Sequence, residues 1–231
     1  MQNSTMLLLL AANLLITWTV FQLSSKLYHY CKQFPLAHPL ILSGVVLVAL
    51  LHTFDISIEA YQQNSQVIMM MLAPATVALG VPLYKNLAVL AKYKSAIFFP
   101  LLLGAIISPC SALLLLWLFK VDGSLLLSMI SKSITSPIAI DITKLVGGIP
   151  AIAVIFVIIS GIIGAALATP LFSLLAIKHD ISKGLSLGIA SHAIGTSSAV
   201  QISEQCAAFS VLAMCLNGLL TTVVIVLFSM I

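Results

Sequence analysis

Residues 132–141 read KSITSPIAID, and how this peptide is built decides the fold. It lies between apolar stretches, yet it carries Lys132, Asp141, Pro137 and the hydroxyls of Ser133, Thr135 and Ser136. Pro137 removes a backbone donor and disfavours helical dihedrals at Ser136, so a plain helix over 124–146 is not expected. Ser131, Ser133, Thr135 and Ser136 can satisfy the backbone groups that such a break sets free.

The surroundings of that peptide are a membrane protein. Hydrophobic residues make up 61% of the 231 and charged ones 7%, where an ordinary soluble domain has roughly 25% charged. Mean hydropathy is +1.20, more apolar surface than a globular core can absorb. Stretches free of Asp, Glu, Lys and Arg, each long enough for a hydrocarbon core that needs about 20 residues, run over 6–25, 33–54, 60–84, 95–119, 145–177, 184–203 and 205–231. With 124–146 as a further hydrophobic region, the expectation is an all-α polytopic membrane protein of about eight segments. Connections of only a few residues leave no room for a soluble domain, so residues 1–231 read as one integral membrane domain. The first stretch reads as a retained helix rather than a cleaved signal peptide, because MQNST lacks a basic region and no small-residue cleavage site precedes Lys26.

Several function classes drop out on residue types alone. Cys31, Cys110, Cys206 and Cys215 are scattered without CxxC spacing, and the five histidines form no HxxxH pair, so no metal site, disulfide framework or cofactor is expected. Gly147, Gly148 and Pro150 read as the turn before a long span, since no GxxxxGK[ST] is present. No nucleophile and base pair stands out, and an enzyme is not expected. The net charge of +4 comes from ten lysines in or beside short loops, which speaks for membrane orientation and against nucleic acid.

Lys26 and Lys32 follow the first stretch and Lys85, Lys92 and Lys94 the third, whereas Asp55 and Glu59 follow the second. The positive-inside rule places both lysine-bearing loops in the cytoplasm, the N-terminus outside, and the loop with Lys120 and Asp122 outside. A plain crossing by 124–146 would then leave KHDISK, residues 178–183, on the outside with Lys178 and Lys183. A re-entrant or broken hairpin over 124–146 removes the conflict and returns 178–183 to the cytoplasm. Non-helical backbone at that depth is tolerated where it is buried in protein or lines a cavity.

A second stretch has the same texture. SHAIGTSSAVQ, residues 191–201, combines His192, Gly195, Thr196, Ser197, Ser198 and Gln201 within 184–203. Gly195 is the expected helix breaker, leaving GTSS with free amides at the start of a half-helix. Two interrupted segments entering from opposite faces and meeting near the midplane are the arrangement of inverted-repeat transporters, although no internal sequence repeat is visible.

Bland readings exist for each polar residue. His192 alone reads as a satisfied buried histidine, Asp141 and Lys144 as an interfacial ion pair, and GIIGA at 161–165 as a packing face of small residues. Pro74 and Pro82 can simply kink a helix, with Thr76 and Lys85 beside them as cavity-lining candidates. Lys132 is different, because an ionisable group within a membrane segment is costly and faces a cavity or a partner. An ammonium among hydroxyls and half-helix N-termini suits an anion, and a small carboxylate is the expected solute. The candidate binding residues are Lys132, Ser133, Thr135, Ser136, His192, Gly195, Thr196 and Ser197, with Asp141 and His192 for ion coupling.

APATVALGVPLYK (73–85), KSITSPIAI (132–140), GGIPAIAVIFVIISGIIGA (147–165) and ASHAIGTSSA (190–199), in this order and over nearly the whole chain, resemble the LrgB-like family, also called CidB/LrgB or antiholin-like. The resemblance implies a bacterial inner-membrane protein with a smaller LrgA- or CidA-like membrane partner. It also implies a holin- or antiholin-like role in murein hydrolase activity and autolysis. The family is similar to the membrane domain of the plant chloroplast glycolate/glycerate translocator, and bacterial relatives are connected with pyruvate uptake. Where relatives commonly read GTAR with a Glu three residues beyond the Arg, this chain has Ser198 and Gln201. Two readings follow: a carrier of small monocarboxylates such as pyruvate, glycolate or lactate, and a self-associating holin-like pore or regulator. A homo-oligomer is expected.

Overall fold

The computed structural model describes residues 2–31, 37–78, 80–85 and 87–229, and among these every regular element is an α-helix. Residues 1–78 and 79–231 form two compact units. In the first, α1 (Gln2–Tyr30) packs against α2 (Pro39–Thr53) and α3 (Ile58–Asn64), and α4 (Gln66–Ala78) follows. Pro39 opens α2, where its missing N–H costs nothing, and His38 Nδ1 accepts from the Leu40 N–H at 3.3 Å. The chain turns at Asp55, whose φ is +50°, and α3 leaves at 114° to α2, capped by Ser57 on the Ala60 N–H at 3.1 Å. The hydroxyls of Thr17 and Tyr61 meet at 2.6 Å and tie α1 to α3.

The second unit runs from α5 (Gly80–Lys85) and α6 (Leu87–Lys92) into α7 (Lys94–Leu118), then α8 (Gly123–Met129), α9 (Ser136–Leu145), α10 (Pro150–Leu174), α11 (Asp180–Val200) and α12 (Glu204–Ser229). α12 lies along α11 and α7, while α10 packs on α11, α9 and α8. Gly184 and Gly188 let α11 approach α12 so closely that a Cβ on either would collide with the backbone carbonyls of Cys206 and Ser210. Among the described residues the core has three patches. Ile97, Leu101, Leu185, Phe209, Leu212 and Ala213 join α7, α11 and α12. Ile130, Ile134, Ala139, Ile142, Val157 and Ile225 pack the broken 124–146 stretch against α10 and α12. Ala168, Phe172, Leu187, Ala199 and Cys206 join α10, α11 and α12. Outward faces carry exposed Phe98, Trp117, Ile159 and Leu219, an apolar surface matched to lipid.

Among the described residues three helices, α7, α10 and α12, are long and apolar enough to cross a bilayer, or four if α2 and α3 make one bent span. The expectation of about eight crossing-length segments is therefore not met one for one. The 60–84 stretch is divided at Ser65, which caps α3, because the polar run Gln62, Gln63, Asn64, Ser65 and Gln66 precedes its apolar part. The stretches 124–146 and 184–203 are each interrupted, as described below. Lys32 and the side chains of Thr76 and Pro82 lie outside what the structure describes.

Candidate functional site

Each interrupted stretch of the second unit turns back on itself. In the first, α8 ends at Met129, residues 130–135 are non-helical, and α9 starts at Ser136 with Thr135 as its N-cap and Pro137 in its first turn. The break expected from Pro137 is present, but it falls on 130–135, and Ser136 is helical with Pro137 in the first turn, where a missing N–H is tolerated. The limbs are held together by the hydroxyls of Ser131 and Thr143 at 2.9 Å and by the Ile149 N–H donating to Ser128 Oγ at 2.7 Å. The return limb ends in a Schellman turn: Gly147 takes φ +83°, its N–H reaches the Lys144 carbonyl at 3.3 Å, and the Gly148 N–H reaches Thr143 at 2.9 Å. Gly148 must lack a side chain, because a Cβ there would sit 2.7 Å from Thr143 Cγ2 and 2.9 Å from the Ser128 nitrogen. Gly147, Gly148 and Pro150 thus form the turn into α10, as their spacing suggested.

In the second stretch the chain reverses within α11. His192 has φ +39° and ψ −126°, a non-helical conformation that separates limbs 180–191 and 193–200. The expected breaker was Gly195, three residues later; the reversal falls on His192 instead. Gly195 serves the packing of the hairpin, since a Cβ there would collide with the Leu187 carbonyl on the other limb and lie 2.7 Å from Ser191 Cβ. The open end is closed by Ser203, which donates to Asp180 Oδ2 at 2.7 Å and accepts from the Cys206 N–H at 3.1 Å, capping α12 as well.

The two tips come together on α10 and α12. Ser160 Oγ donates to the Lys132 carbonyl at 2.8 Å, and one turn earlier the Val157 carbonyl is 3.0 Å from His192 Nε2. Gly161 makes room for the imidazole, because a Cβ there would be 2.6 Å from His192 Cε1. From α12, Asn217 Nδ2 donates to the Ser133 carbonyl at 3.1 Å and to the Ile189 carbonyl at 3.5 Å. The first hairpin abuts the start of α10 and the second its end, where Ile177 packs with Ala168, Phe172, Leu187 and Ala199. Helices α9 and 193–200 therefore both present their first turns, with amides that have no intrahelical partner, toward the middle of α10.

The candidate residues fare differently within this frame. Lys132 is half-buried at the first tip, and among the described residues the one ion pair is Lys183 with Asp180 at 3.6 Å, so no carboxylate neutralises it. Ser133 is buried and Thr135 half-buried, and neither hydroxyl has a hydrogen-bond partner among the described residues. Ser136 is half-buried in the first turn of α9. Thr196 Oγ1 donates to the His192 carbonyl at 2.9 Å and meets Ser210 Oγ at 3.0 Å, and Ser197 donates to the Ile194 carbonyl at 2.7 Å. Both hydroxyls are engaged at the second tip. Ser198 Oγ donates back to the Ile194 carbonyl at 3.4 Å. Asp141 is on the exposed side of α9 and makes no ion pair with the exposed Lys144.

Asn217, Ser160 and Thr221 were not singled out from the sequence. Asn217 is fully buried at the midpoint of α12, and its only sequence signal is an amide well inside an uncharged apolar run. Among the described residues no group of His, Cys, Asp and Glu could hold a metal ion.

Long apolar helices enclosing two polar, unwound tips define a helical integral membrane protein with a buried polar centre. The chain belongs to the LrgB-like family, whose model matches residues 17–231. It is 36% identical over 209 residues to the uncharacterized protein YxaC of Bacillus subtilis (strain 168), covering 90% of each chain. It is 33% identical over 212 residues to YwbG of the same organism, covering 90% of this chain and 92% of that one. To the antiholin-like protein LrgB of Bacillus cereus (strain B4264) it is 31% identical over 215 residues, covering 93% and 94%. No solved structure matches the chain.

Proposed function

We propose that this chain is a carrier of small monocarboxylates, of the pyruvate, glycolate or lactate type, in a bacterial cytoplasmic membrane. One observation carries the reading: the first turns of α9 and of 193–200 converge on the middle of α10, beside the unneutralised Lys132. Free amides and an ammonium in a dry setting are suited to a carboxylate. In this reading 124–146 and 184–203 are re-entrant hairpins entering from opposite faces, in the manner of an inverted repeat, with the N-terminus outside. Lys132, Ser133, Thr135 and Ser136 hold the solute from one side, and His192, Gly195, Thr196 and Ser197 from the other. Coupling by a proton would fall to His192 or Asp141. A small LrgA-like membrane protein is the partner, and the carrier works as a homo-oligomer.

The experiment is uptake of labelled pyruvate, glycolate and lactate into vesicles containing this chain, with and without the small partner. Saturable uptake, suppressed by unlabelled solute and abolished by Lys132→Ala with membrane insertion intact, is the expected outcome. Unchanged uptake kinetics in that variant would reject the site.

A second reading rests on the name of the Bacillus cereus relative, antiholin-like protein LrgB. A self-associating pore or regulator that controls murein hydrolases would give non-saturable leakage of unrelated solutes in the same vesicles. The two polar tips favour the carrier, since a lesion-forming assembly has little use for paired interruptions inside the membrane.

A further inference from the structure

The first tip and the α12 face packed on it both carry buried oxygen atoms that lack a hydrogen-bond partner among the described residues. Ser133 Oγ, Thr135 Oγ1, Asn217 Oδ1 and Thr221 Oγ1 have no hydrogen-bond partner among the described residues. Ser133 is 3% exposed, and Asn217 and Thr221 are 0% exposed. Asn217 and Thr221 are four residues apart on α12 and so share a face, which continues to Ile225 packed on Ile134, Ala139 and Ile142 of the same hairpin. The Asn217 amide is fixed in orientation, because Nδ2 gives its hydrogens to the Ser133 and Ile189 carbonyls. Its Oδ1 can only accept, and no donor among the described residues reaches it.

An unpaired oxygen in a water-poor interior is costly, and several on two elements packed together call for a partner from outside the chain. The hydroxyls can turn their lone pairs inward, and the Asn217 oxygen cannot do otherwise. The partner that suits neutral hydroxyl and amide oxygens without a carboxylate is a hard, singly charged cation. Divalent cations of the hard class call on carboxylates or keep several waters. We propose that Ser133 Oγ, Thr135 Oγ1, Asn217 Oδ1 and Thr221 Oγ1 form a sodium site on the α12 side of the first hairpin tip, with lone pairs of the Ser133 and Thr135 hydroxyls on the cation and their hydrogens left for the solute.

Lys132 gives the site its coupling. Its carbonyl is bound to α10 through Ser160, whereas the next carbonyl, that of Ser133, is bound to α12 through Asn217. The ammonium belongs to the residue beside the site and opposes a cation there until an anion neutralises it. Sodium and carboxylate then favour one another, and by linkage each raises the other's affinity by the same factor. This last step rests on the carrier reading; the sodium site does not.

The test is thermal unfolding of the purified full-length chain in sodium, potassium or choline chloride at equal ionic strength, first without solute and then with glycolate. Sodium alone is expected to raise the midpoint saturably, by more than about 3 °C, through preferential binding to the folded state. Thr221→Val and Ser133→Ala should each abolish the shift, and Thr221→Ser should keep it. Equal midpoints in the three salts, or a sodium shift that survives both Thr221→Val and Ser133→Ala, would overturn the site. With sodium binding established, the absence of any effect of glycolate on sodium affinity would count against the carrier reading alone.

Discussion

Asn217 and Ser133 lie 84 residues apart in the chain and are joined at 3.1 Å, side-chain amide to backbone carbonyl, inside the second unit. The same amide reaches Ile189, three residues before the reversal at His192. One buried side chain on α12 thereby holds both hairpins in register, while α10 holds them from the other side through Ser160 and Val157.

Replacing Asn217 by Leu keeps the volume and removes both bonds. Two carbonyls are then left without this donor in a water-poor interior, a loss of roughly 1–3 kcal/mol. The expected outcome is a lower unfolding midpoint of the detergent-solubilised protein, measured by thermal denaturation. An unchanged midpoint would show that the hairpins do not depend on this side chain.

Gly188 and Gly44 offer a matched pair for the packing. A Cβ at Gly188 would collide with the Ser210 carbonyl and lie 2.8 Å from Ala213 Cβ, whereas at Gly44 nothing lies within 4 Å. Gly188→Ala should destabilise by about 1–3 kcal/mol as α11 is pushed off α12. Gly44→Ala, in the interior of α2, should be neutral or gain up to about 1 kcal/mol from helix propensity. Thermal midpoints of the two variants in parallel decide it, and equal effects would contradict the close approach of α11 and α12.

How much of this could be read from the sequence differs between the two tips. At the first, Pro137 has no N–H to give the Ser133 carbonyl and sits in the first turn of a new helix, which starts at Ser136 although a residue before proline disfavours helical dihedrals. At the second, nothing about His192 as a residue type forces φ +39°; the conformation is stabilised by contacts with Val157 and Gly161 that lie more than 30 residues away. Gly195 was legible as special but for the wrong reason, since its demand is a close approach to Leu187 rather than a turn. Asn217 and Thr221 were not legible, because a polar residue inside an apolar helix gains its meaning from carbonyls and hydroxyls that only the fold brings to it. The apolar lengths of α7, α10 and α12 needed no such information.

Asp180 makes the closure of the second hairpin sensitive to acid. The hydroxyl of Ser203 and, less strongly, the ammonium of Lys183 hold its carboxyl below the ordinary value of 3.8. A carboxyl held low contributes stability that is complete above its unfolded value and is lost as pH falls through the lower folded value. The gap in unfolding midpoint between the wild type and Asp180→Ala should therefore be constant near neutral pH and narrow as pH drops below 3.8. Midpoints recorded from neutral to acid pH test this. A gap that widens on acidification would give the opposite sign and exclude the carboxylate as the group that holds Ser203.

The hairpin reading makes a parity prediction for topology. Between Asp122 and Lys178 the chain contains the 124–146 stretch and α10. If the former turns back, only α10 crosses, and the two positions lie on opposite sides of the membrane; if it crosses, they lie on the same side. The bond from Ile149 to Ser128 brings the exit of the first hairpin back beside its entry limb, and the bond from Ser203 to Asp180 does the same for the second. A reporter fused after Lys178 should accordingly read cytoplasm and one after Asp122 the outside, as the lysines of 178–183 require. A cysteine placed at Ser203 should react with impermeant reagents from the same side as one placed at Asp180. Reporters after Asp122 and Lys178 on one side would make 124–146 a crossing segment, and the two tips would then no longer enter from opposite faces.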